Sequence, residues 1–342
     1  MTFVSILLPV YNGARYLDSA VRSLLGQTHT DFELLILDDG SSDGSAELAE
    51  TFRDSRIRVL RSEGNMGLPA TLNKGLRAAR AELVARQDAD DLSHPERLER
   101  QVRFLETHRE VGLLGTRAWV VDENGLYRGS VLHALHHDAL LFELLFDNAF
   151  VHSSVMLRRS LVLDQNGYDE KAGYNEDYDL WLRLARVTRL ANLGERLVAW
   201  RVHPQSKTRR TNAAAEAANH ALLSRFIPQI VGANEGERAI ELTSRAQAGL
   251  TLEETREIVP IFNRWVDQHR HRVAGAHGKD FERTVARQAL RFAFSRRHRS
   301  MARVAVALGG SRAHLPGMVR QVIAASLEKA RMRTAFDPLR VF

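Results

Sequence analysis

The residues best suited to chemistry are the carboxylates of Asp88-Ala89-Asp90-Asp91-Leu92, which follow the short apolar run 83–85. Three carboxylates at one strand end repel one another and lose hydration, so the arrangement asks for a cation. A hard divalent ion suits them, because Mg²⁺ and Mn²⁺ take a few carboxylates together with substrate phosphates. An acidic turn, with Asp90 or Asp91 capping a helix that begins near Pro95, fits the same residues. Three further patches carry groups that can bind or react. Pro9-Val10-Tyr11-Asn12 closes the first apolar run and offers a ring that can stack on a base; a plain turn fits it too. Asp38-Asp39-Gly40-Ser41-Ser42-Asp43 closes the second. A carboxylate there can accept from a nucleobase or ribose, and Ser42 or Asp43 also reads as a helix cap. Asn175-Glu176-Asp177-Tyr178-Asp179 sets Glu176 and Asp177 at a helix N-terminus. The helix dipole stabilises anions there by roughly 0.3–1 kcal/mol. A carboxylate within hydrogen-bond reach of an acceptor hydroxyl can also serve as a general base.

The elements that must position these groups alternate. Apolar runs at 4–8, 34–37, 57–60 and 83–85 read as buried strands, and helical spacing recurs at 17–25, after Ser42-Asp43 and over 68–79. Repeated βα units predict a mainly parallel sheet covered on both faces. Ligands of such sheets bind beyond the carboxyl ends of the strands, so Asp38-Asp39 and Asp88-Asp90 are expected on one edge. From 110 to 205 strands (111–114, 119–121, 153–157, 198–202) mix with a short helix over 178–184. Beyond about 206 the strand signal fades into Ala-, Arg- and Glu-rich helical stretches. The expected division is a catalytic domain over 1–208 and a basic helical region over 209–342.

The 342 residues include no cysteine, which removes disulfides, thiolate metal sites and cysteine nucleophiles and suits a reducing cytoplasm. The N-terminus lacks a basic segment and passes directly into a strand-like run, so it does not read as a signal peptide, and no run is long enough to span a membrane. The net charge of +6 conceals an asymmetry: residues 1–206 carry −6 and residues 207–342 carry +12. Arg287, Arg291, Arg296, Arg297, Arg299 and Arg303 stand among Leu290, Phe292, Phe294 and Met301. Such a segment can lie on an anionic membrane surface, form a solvated helix face, or make a homo-oligomer contact. No nucleic-acid module accompanies the charge, so no nucleic-acid partner is expected.

Taken together, the motifs resemble family 2 glycosyltransferases over residues 3–206. The likeness is carried by Val4-Ser5-Ile6-Leu7-Leu8-Pro9-Val10-Tyr11-Asn12-Gly13, Leu24-Leu25-Gly26-Gln27-Thr28 and Asp38-Asp39-Gly40-Ser41-Ser42-Asp43. It continues in order through Asn65-Met66-Gly67-Leu68, Asn73-Lys74-Gly75, the acidic cluster with Pro95-Glu96-Arg97-Leu98, and His152-Ser153-Ser154. Gly167-Tyr168-Asp169, Glu176-Asp177-Tyr178-Asp179-Leu180-Trp181 and Trp200-Arg201-Val202-His203 complete it. Leu72 departs from the arginine that many relatives carry there, a mark of subgroup identity.

The resemblance implies an α/β fold of the GT-A type with a mostly α-helical C-terminal extension. It implies an inverting, metal-assisted transfer of sugar from a nucleotide-sugar, UDP-sugars favoured, to a hydroxyl of a glycan or lipid-linked acceptor in cell-surface polysaccharide biosynthesis. By the same resemblance Pro9, Tyr11, Asn12, Asp39, Asn65 and Asp88 would meet the nucleotide. Asp90 and His203 would hold Mn²⁺ or Mg²⁺, Asp177 would be the base, and Glu176 would support it. Asp91, Arg201 and His152 would add contacts. The expected location is cytoplasmic, with peripheral contact at the inner face of the membrane. A non-catalytic nucleotide-sugar-binding protein of the same fold is one competing reading. A Mg²⁺-dependent phosphohydrolase is another, but it would place its aspartate pair after the first strand and leave Asp38-Asp39 unexplained.

Overall fold

The computed structural model describes residues 2–173, 175–204, 206, 213–231, 237–245, 252–271, 273 and 277–293. The chain begins β1 (Val4–Val10), α1 (Ala14–Leu25), β2 (Phe32–Asp38), α2 (Ser45–Thr51), β3 (Ile57–Arg61), α3 (Leu68–Ala78) and β4 (Leu83–Arg86). It continues β5 (Leu92–Ser93), α4 (Arg97–Thr107), β6 (Val111–Val121), β7 (Tyr127–Val131) and α5 (His137–Glu143). A 3₁₀ turn (His152–Ser154) leads to β8 (Met156–Arg158), α6 (Arg159–Asp164), α7 (Glu176–Leu184) and β9 (Arg189–Arg201). The remaining described helices are α8 (Ala213–Val231), α9 (Glu237–Arg245), α10 (Leu252–Arg270) and α11 (His277–Ala293).

Two compact units result. One contains the chain up to Leu132 and the stretch Phe150–Ser206. Its sheet runs in the order β3-β2-β1-β4-β8-β6-β9-β5, with β7 paired to β6. β1 lies between β2 and β4, parallel to both. All seven positions of β1 and β2 are buried, which explains why the sequence shows continuous apolar runs there and no alternation. Leu17, Ala20, Val21 and Leu24 recur at helical spacing on α1 and join Val4, Ile6, Leu8, Leu34 and Ile36 in one core. Pro9 is tolerated inside β1 because the last β1–β4 pair is Leu7↔Arg86, so its missing N–H falls where β4 has ended. The parallel arrangement brings the ends of β1, β2 and β4 to one edge, as expected from the βα repeats.

Several elements differ from the sequence expectation. Residues 111–114 and 119–121, expected as separate strands, belong to a single strand, β6. A Cβ at Gly115 would stand 2.2 Å from Asn192 Oδ1, so the glycine admits the neighbouring strand's side chain without ending β6. The expected strand over 153–157 opens as the 3₁₀ turn, and β9 starts at Arg189, nine residues before expectation. Neither Ser42 nor Asp43 occupies the N-cap position of α2. The N-cap position is Gly44 (φ 89°), before Ser45, but Asp43 still serves the helix start: its Oδ1 accepts the Ser45 amide and its Oδ2 the Ala14 amide of α1, each at 3.0 Å.

The second unit contains His133–Ala149 with the helices α8 to α11. Phe142 and Phe146 of the segment around α5 meet Phe262, Trp265 and Phe281 at centroid distances of 5.4–5.8 Å. Within the described residues the chain thus crosses between the units near 132, 149 and 206, two crossings more than the sequence suggested. No described helix is long and apolar enough to cross a membrane.

Candidate active site

Three loops are tied together at the ends of β1, β2 and β3. Asn12, in a left-handed conformation (φ 50°), donates its amide to Ser41 Oγ and accepts the Ser42 amide at 2.9 Å. Asp39 is 4% exposed, and its two carboxylate oxygens accept the amides of Met66 and Gly67 at 2.8 and 3.0 Å. Gly40 (φ 75°) passes so close to Gly64 that a Cβ would lie 2.6 Å from the Gly64 carbonyl carbon. Tyr11 and Met66 stand exposed on either loop, and Asn65 is exposed beside Met66. Asp39 therefore has a structural task in addition to any ligand contact.

The acidic loop rests on two buried arginines. Arg86, the last residue of β4 and 1% exposed, grips Asp88 with two guanidinium nitrogens, each 2.5 Å from a carboxylate oxygen. Ser153 Oγ accepts the Asp88 amide at 3.0 Å and donates to Asp88 Oδ2 at 3.1 Å. Beneath them Arg97 of α4 donates to the Arg86 carbonyl at 2.7 Å and to Ser93 Oγ at 2.8 Å. Burial, then repulsion from Arg86, lowers its pKa to about 9 against the pull of Asp91. α4 starts at Arg97 after Glu96, so neither Asp90 nor Asp91 caps it, and the capping alternative for the cluster falls away.

The carboxylate oxygens of Asp88, Asp90 and Asp91 come within 4.8 Å of one another. Asp91 is fully buried; its Oδ1 accepts the Arg201 amide at 2.7 Å, while Oδ2 has no hydrogen-bond partner. Burial, reinforced by Asp90 and Asp88, pushes the Asp91 carboxyl well above the usual carboxylate range. Burial and the Asp88 charge also push Asp90 up, partly offset by His203, whose Nε2 lies 2.9 Å from Asp90 Oδ2. An orphaned buried oxygen among crowded anions is a donor set that fits a divalent cation.

Arg201 works as a staple. Beyond its amide bond to Asp91, its Nε donates to the Asp90 carbonyl at 2.8 Å and a terminal nitrogen reaches the Asp122 and Glu123 carbonyls. Its guanidinium lies 4.8 Å from the centre of the Tyr16 ring, and that ring also lies 5.4 Å from His203.

Glu176 and Asp177 open α7, where the dipole favours anions. Asp177 Oδ2 is 3.9 Å from His152 Nδ1, and the opposite nitrogen of His152 is 3.0 Å from the Tyr168 hydroxyl. Asn73 positions Tyr168 by a reciprocal pair: Tyr168's amide donates to Oδ1 at 2.8 Å and Nδ2 donates to the Tyr168 carbonyl at 2.9 Å. Adjacent residues of one 3₁₀ turn therefore face two ways, Ser153 to Asp88 and His152 to Asp177.

The structure brings Pro9, Tyr11, Asn12, Asp39 and Asn65 to the β1–β3 end of the edge, and Asp88, Asp90, Asp91, Arg201 and His203 to the acidic loop. His152, Glu176 and Asp177 line the adjoining region. Sequence reasoning missed Arg86, Arg97 and Tyr16. Arg86 had a readable signal: residues 86 and 88 share one face of an extended segment, so a lone arginine two positions before an acidic cluster is placed to pair with it. Of the basic segment, Arg287 is turned to Glu143 at 3.3 Å, so it does not contribute to a free basic face. The side chains of Arg291, Arg296, Arg297, Arg299 and Arg303 lie outside the described residues.

A family model described as glycosyl transferase family 2 matches residues 5–166. The chain is 36% identical over 185 residues to the putative glycosyltransferase EpsE of Bacillus subtilis, covering 53% of this chain and 66% of that one. It is 31% identical over 231 residues to the O-antigen biosynthesis glycosyltransferase WbnJ of Escherichia coli, covering 65% of this chain and 88% of the relative. Among solved structures, S. aureus TarS 1-349 in complex with UDP-GlcNAc has a TM-score of 0.56 at 18% identity, over 91% of this chain and 90% of that one. The chain belongs to glycosyltransferase family 2, is a glycosyltransferase, and has a fold of the GT-A type.

Proposed function

We propose that this chain transfers a sugar from a nucleotide-sugar, UDP being the favoured nucleotide, to a hydroxyl of a glycan or lipid-linked acceptor, inverting the anomeric centre. The observation that carries the reading is the 3₁₀ turn, whose Ser153 bonds Asp88 while the neighbouring His152 lies 3.9 Å from Asp177. Donor-side carboxylates and a candidate base are thereby held at one edge by consecutive residues. The named role of WbnJ in O-antigen biosynthesis supports a place in cell-surface polysaccharide synthesis.

In this reading Tyr11 stacks on the base, with Pro9, Asn12 and Asn65 shaping the loops around it. Asp39 accepts from the base while fixing the 64–67 loop. Asp88, held by Arg86, faces the ribose and diphosphate. Asp90 and His203 would hold Mn²⁺ or Mg²⁺, with the orphaned Asp91 oxygen directed at the same charge. When bound, the ion offsets the negative charge that grows on the leaving diphosphate. Asp177 takes the proton from the acceptor hydroxyl as that oxygen attacks C1 from the face opposite the leaving group, and Glu176 contacts the acceptor. General-base help of this kind is worth roughly 10²–10⁴-fold. The 1–208 part carries this chemistry, and the helical 209–342 part serves the acceptor, a membrane surface or a second subunit.

Calorimetric titration with UDP-, GDP- and dTDP-sugars, with and without Mn²⁺, tests the donor assignment. The UDP-sugar is expected to bind tightest, and Asp90→Ala is expected to lose the Mn²⁺-dependent part of the affinity. Unchanged Mn²⁺ dependence in Asp90→Ala would overturn the metal assignment.

A further inference from the structure

We infer that His152 is a positioning residue for the base Asp177, and that Tyr168 selects the imidazole tautomer that does it. The inference rests on Asp177 being the base. His152 has two ring nitrogens with different neighbours: Nε2 is 3.0 Å from the Tyr168 hydroxyl, and Nδ1 is 3.9 Å from Asp177 Oδ2. Neutral imidazole carries one proton, and the partner of one nitrogen decides what the other presents. Tyr168 is 2% exposed, and burial raises its hydroxyl pKa further above neutrality, so it remains a neutral phenol with a proton to give. Donation from Tyr168 to Nε2 leaves the proton on Nδ1, pointing at the Asp177 carboxylate. The reverse tautomer would set a nitrogen lone pair against that carboxylate, acceptor against acceptor.

The surroundings hold this arrangement in place. Tyr168 is anchored through its backbone by the two Asn73 bonds, so its ring is fixed independently of the hydroxyl. The His152 ring packs edge-on against buried Trp181 at 5.7 Å and tilts against Tyr168 at 5.6 Å. The His152 backbone is constrained by the 3₁₀ turn, and Ser153 in that turn is bonded to Asp88. A nitrogen donor aimed at Asp177 Oδ2, together with the Tyr178 amide donating to Oδ1 at 2.7 Å, orients the carboxylate toward the acceptor. The turn also links the position of the base to that of the donor-binding aspartate. Such a role acts on the chemical step and leaves nucleotide affinity untouched.

The test is steady-state transfer kinetics on the full chain for Tyr168→Phe, His152→Asn, His152→Gln and Asp177→Asn, with thermal melting of each. Asparagine places its amide nitrogen near the Nδ1 position, and glutamine places its nitrogen near Nε2. The expected result is a fall in kcat of about tenfold or more in Tyr168→Phe and His152→Gln, with the donor KM within about twofold of wild type. His152→Asn is expected to recover a substantial part of that loss. Wild-type kcat in Tyr168→Phe, or equal losses in His152→Asn and His152→Gln, would overturn the inference. If Asp177→Asn itself keeps full turnover, the assignment of the base fails, and that failure is distinct because it appears in a variant that leaves His152 and Tyr168 intact.

Discussion

Replacing Asp39 by Asn separates a ligand contact from a structural one. If Asp39 served the nucleotide alone, the unliganded protein would melt as wild type. The structure predicts otherwise, because both carboxylate oxygens are engaged by the Met66 and Gly67 amides and the side chain is almost entirely covered. Hydrogen bonds to a charged group contribute about 1.5–3 kcal/mol each. Asparagine keeps one acceptor and turns an NH₂ group toward the second amide, so one bond is lost and one N–H is left facing another. The loop is open to water on the side where Met66 is 49% exposed, which lets that N–H recover some hydration. The expected net cost is about 2 kcal/mol, a fall in melting temperature of roughly 4–8 °C for a unit of this size. Differential scanning calorimetry without nucleotide measures it. Limited proteolysis of the 62–67 segment should accelerate in parallel. A variant that melts within 1 °C of wild type, with unchanged cleavage, would refute the reasoning.

Two further outcomes follow from buried groups. Gly167 has φ 68°, and a Cβ there would stand 2.4 Å from Asn73 Oδ1, so Gly167→Ala should lose about 2–4 kcal/mol in urea unfolding and disturb Tyr168; a change below 0.5 kcal/mol on that approximate scale would contradict the tight approach. Burial alone would raise the Glu143 carboxyl, but Arg287, His133 and the Ala134 amide outweigh it and hold it at about 2. A folded-state pKa below the unfolded value gives stability that is present above pH 4.5 and lost as pH falls toward 2. The gap between wild type and Glu143→Gln should therefore shrink by about 3 kcal/mol as pH falls from neutrality through that window; a gap independent of pH would contradict the pairing.

The parallel half of the sheet was legible because its strands are buried on both faces, and burial writes itself as apolar runs. The edge that collects Asp39 and Asp88 followed from strand order alone. What the sequence hid were features set by long-range contact. β5 has only two residues, Leu92-Ser93, inside a loop that reads as acidic turn, and it exists because β9 pairs with it. Residues 111–114 and 119–121 join into one strand, β6, where Asn192 fills the space above Gly115. The segment His133–Ala149 carries no composition shift, so its membership of the helical unit is decided by packing around Phe142 and Phe146. Arg97 was unreadable as a buried charge, since arginine is seldom buried without partners and its partners are Ser93 and the Arg86 backbone carbonyl.

The central claim is that a nucleotide site at the acidic loop and a base at α7 act on one reaction. Its most direct test is sugar transfer by Asp177→Asn, measured beside calorimetric binding of the donor nucleotide. Transfer should fall by roughly 10²–10⁴-fold while nucleotide affinity stays within about threefold of wild type. Turnover near the wild-type rate in that variant would contradict the account.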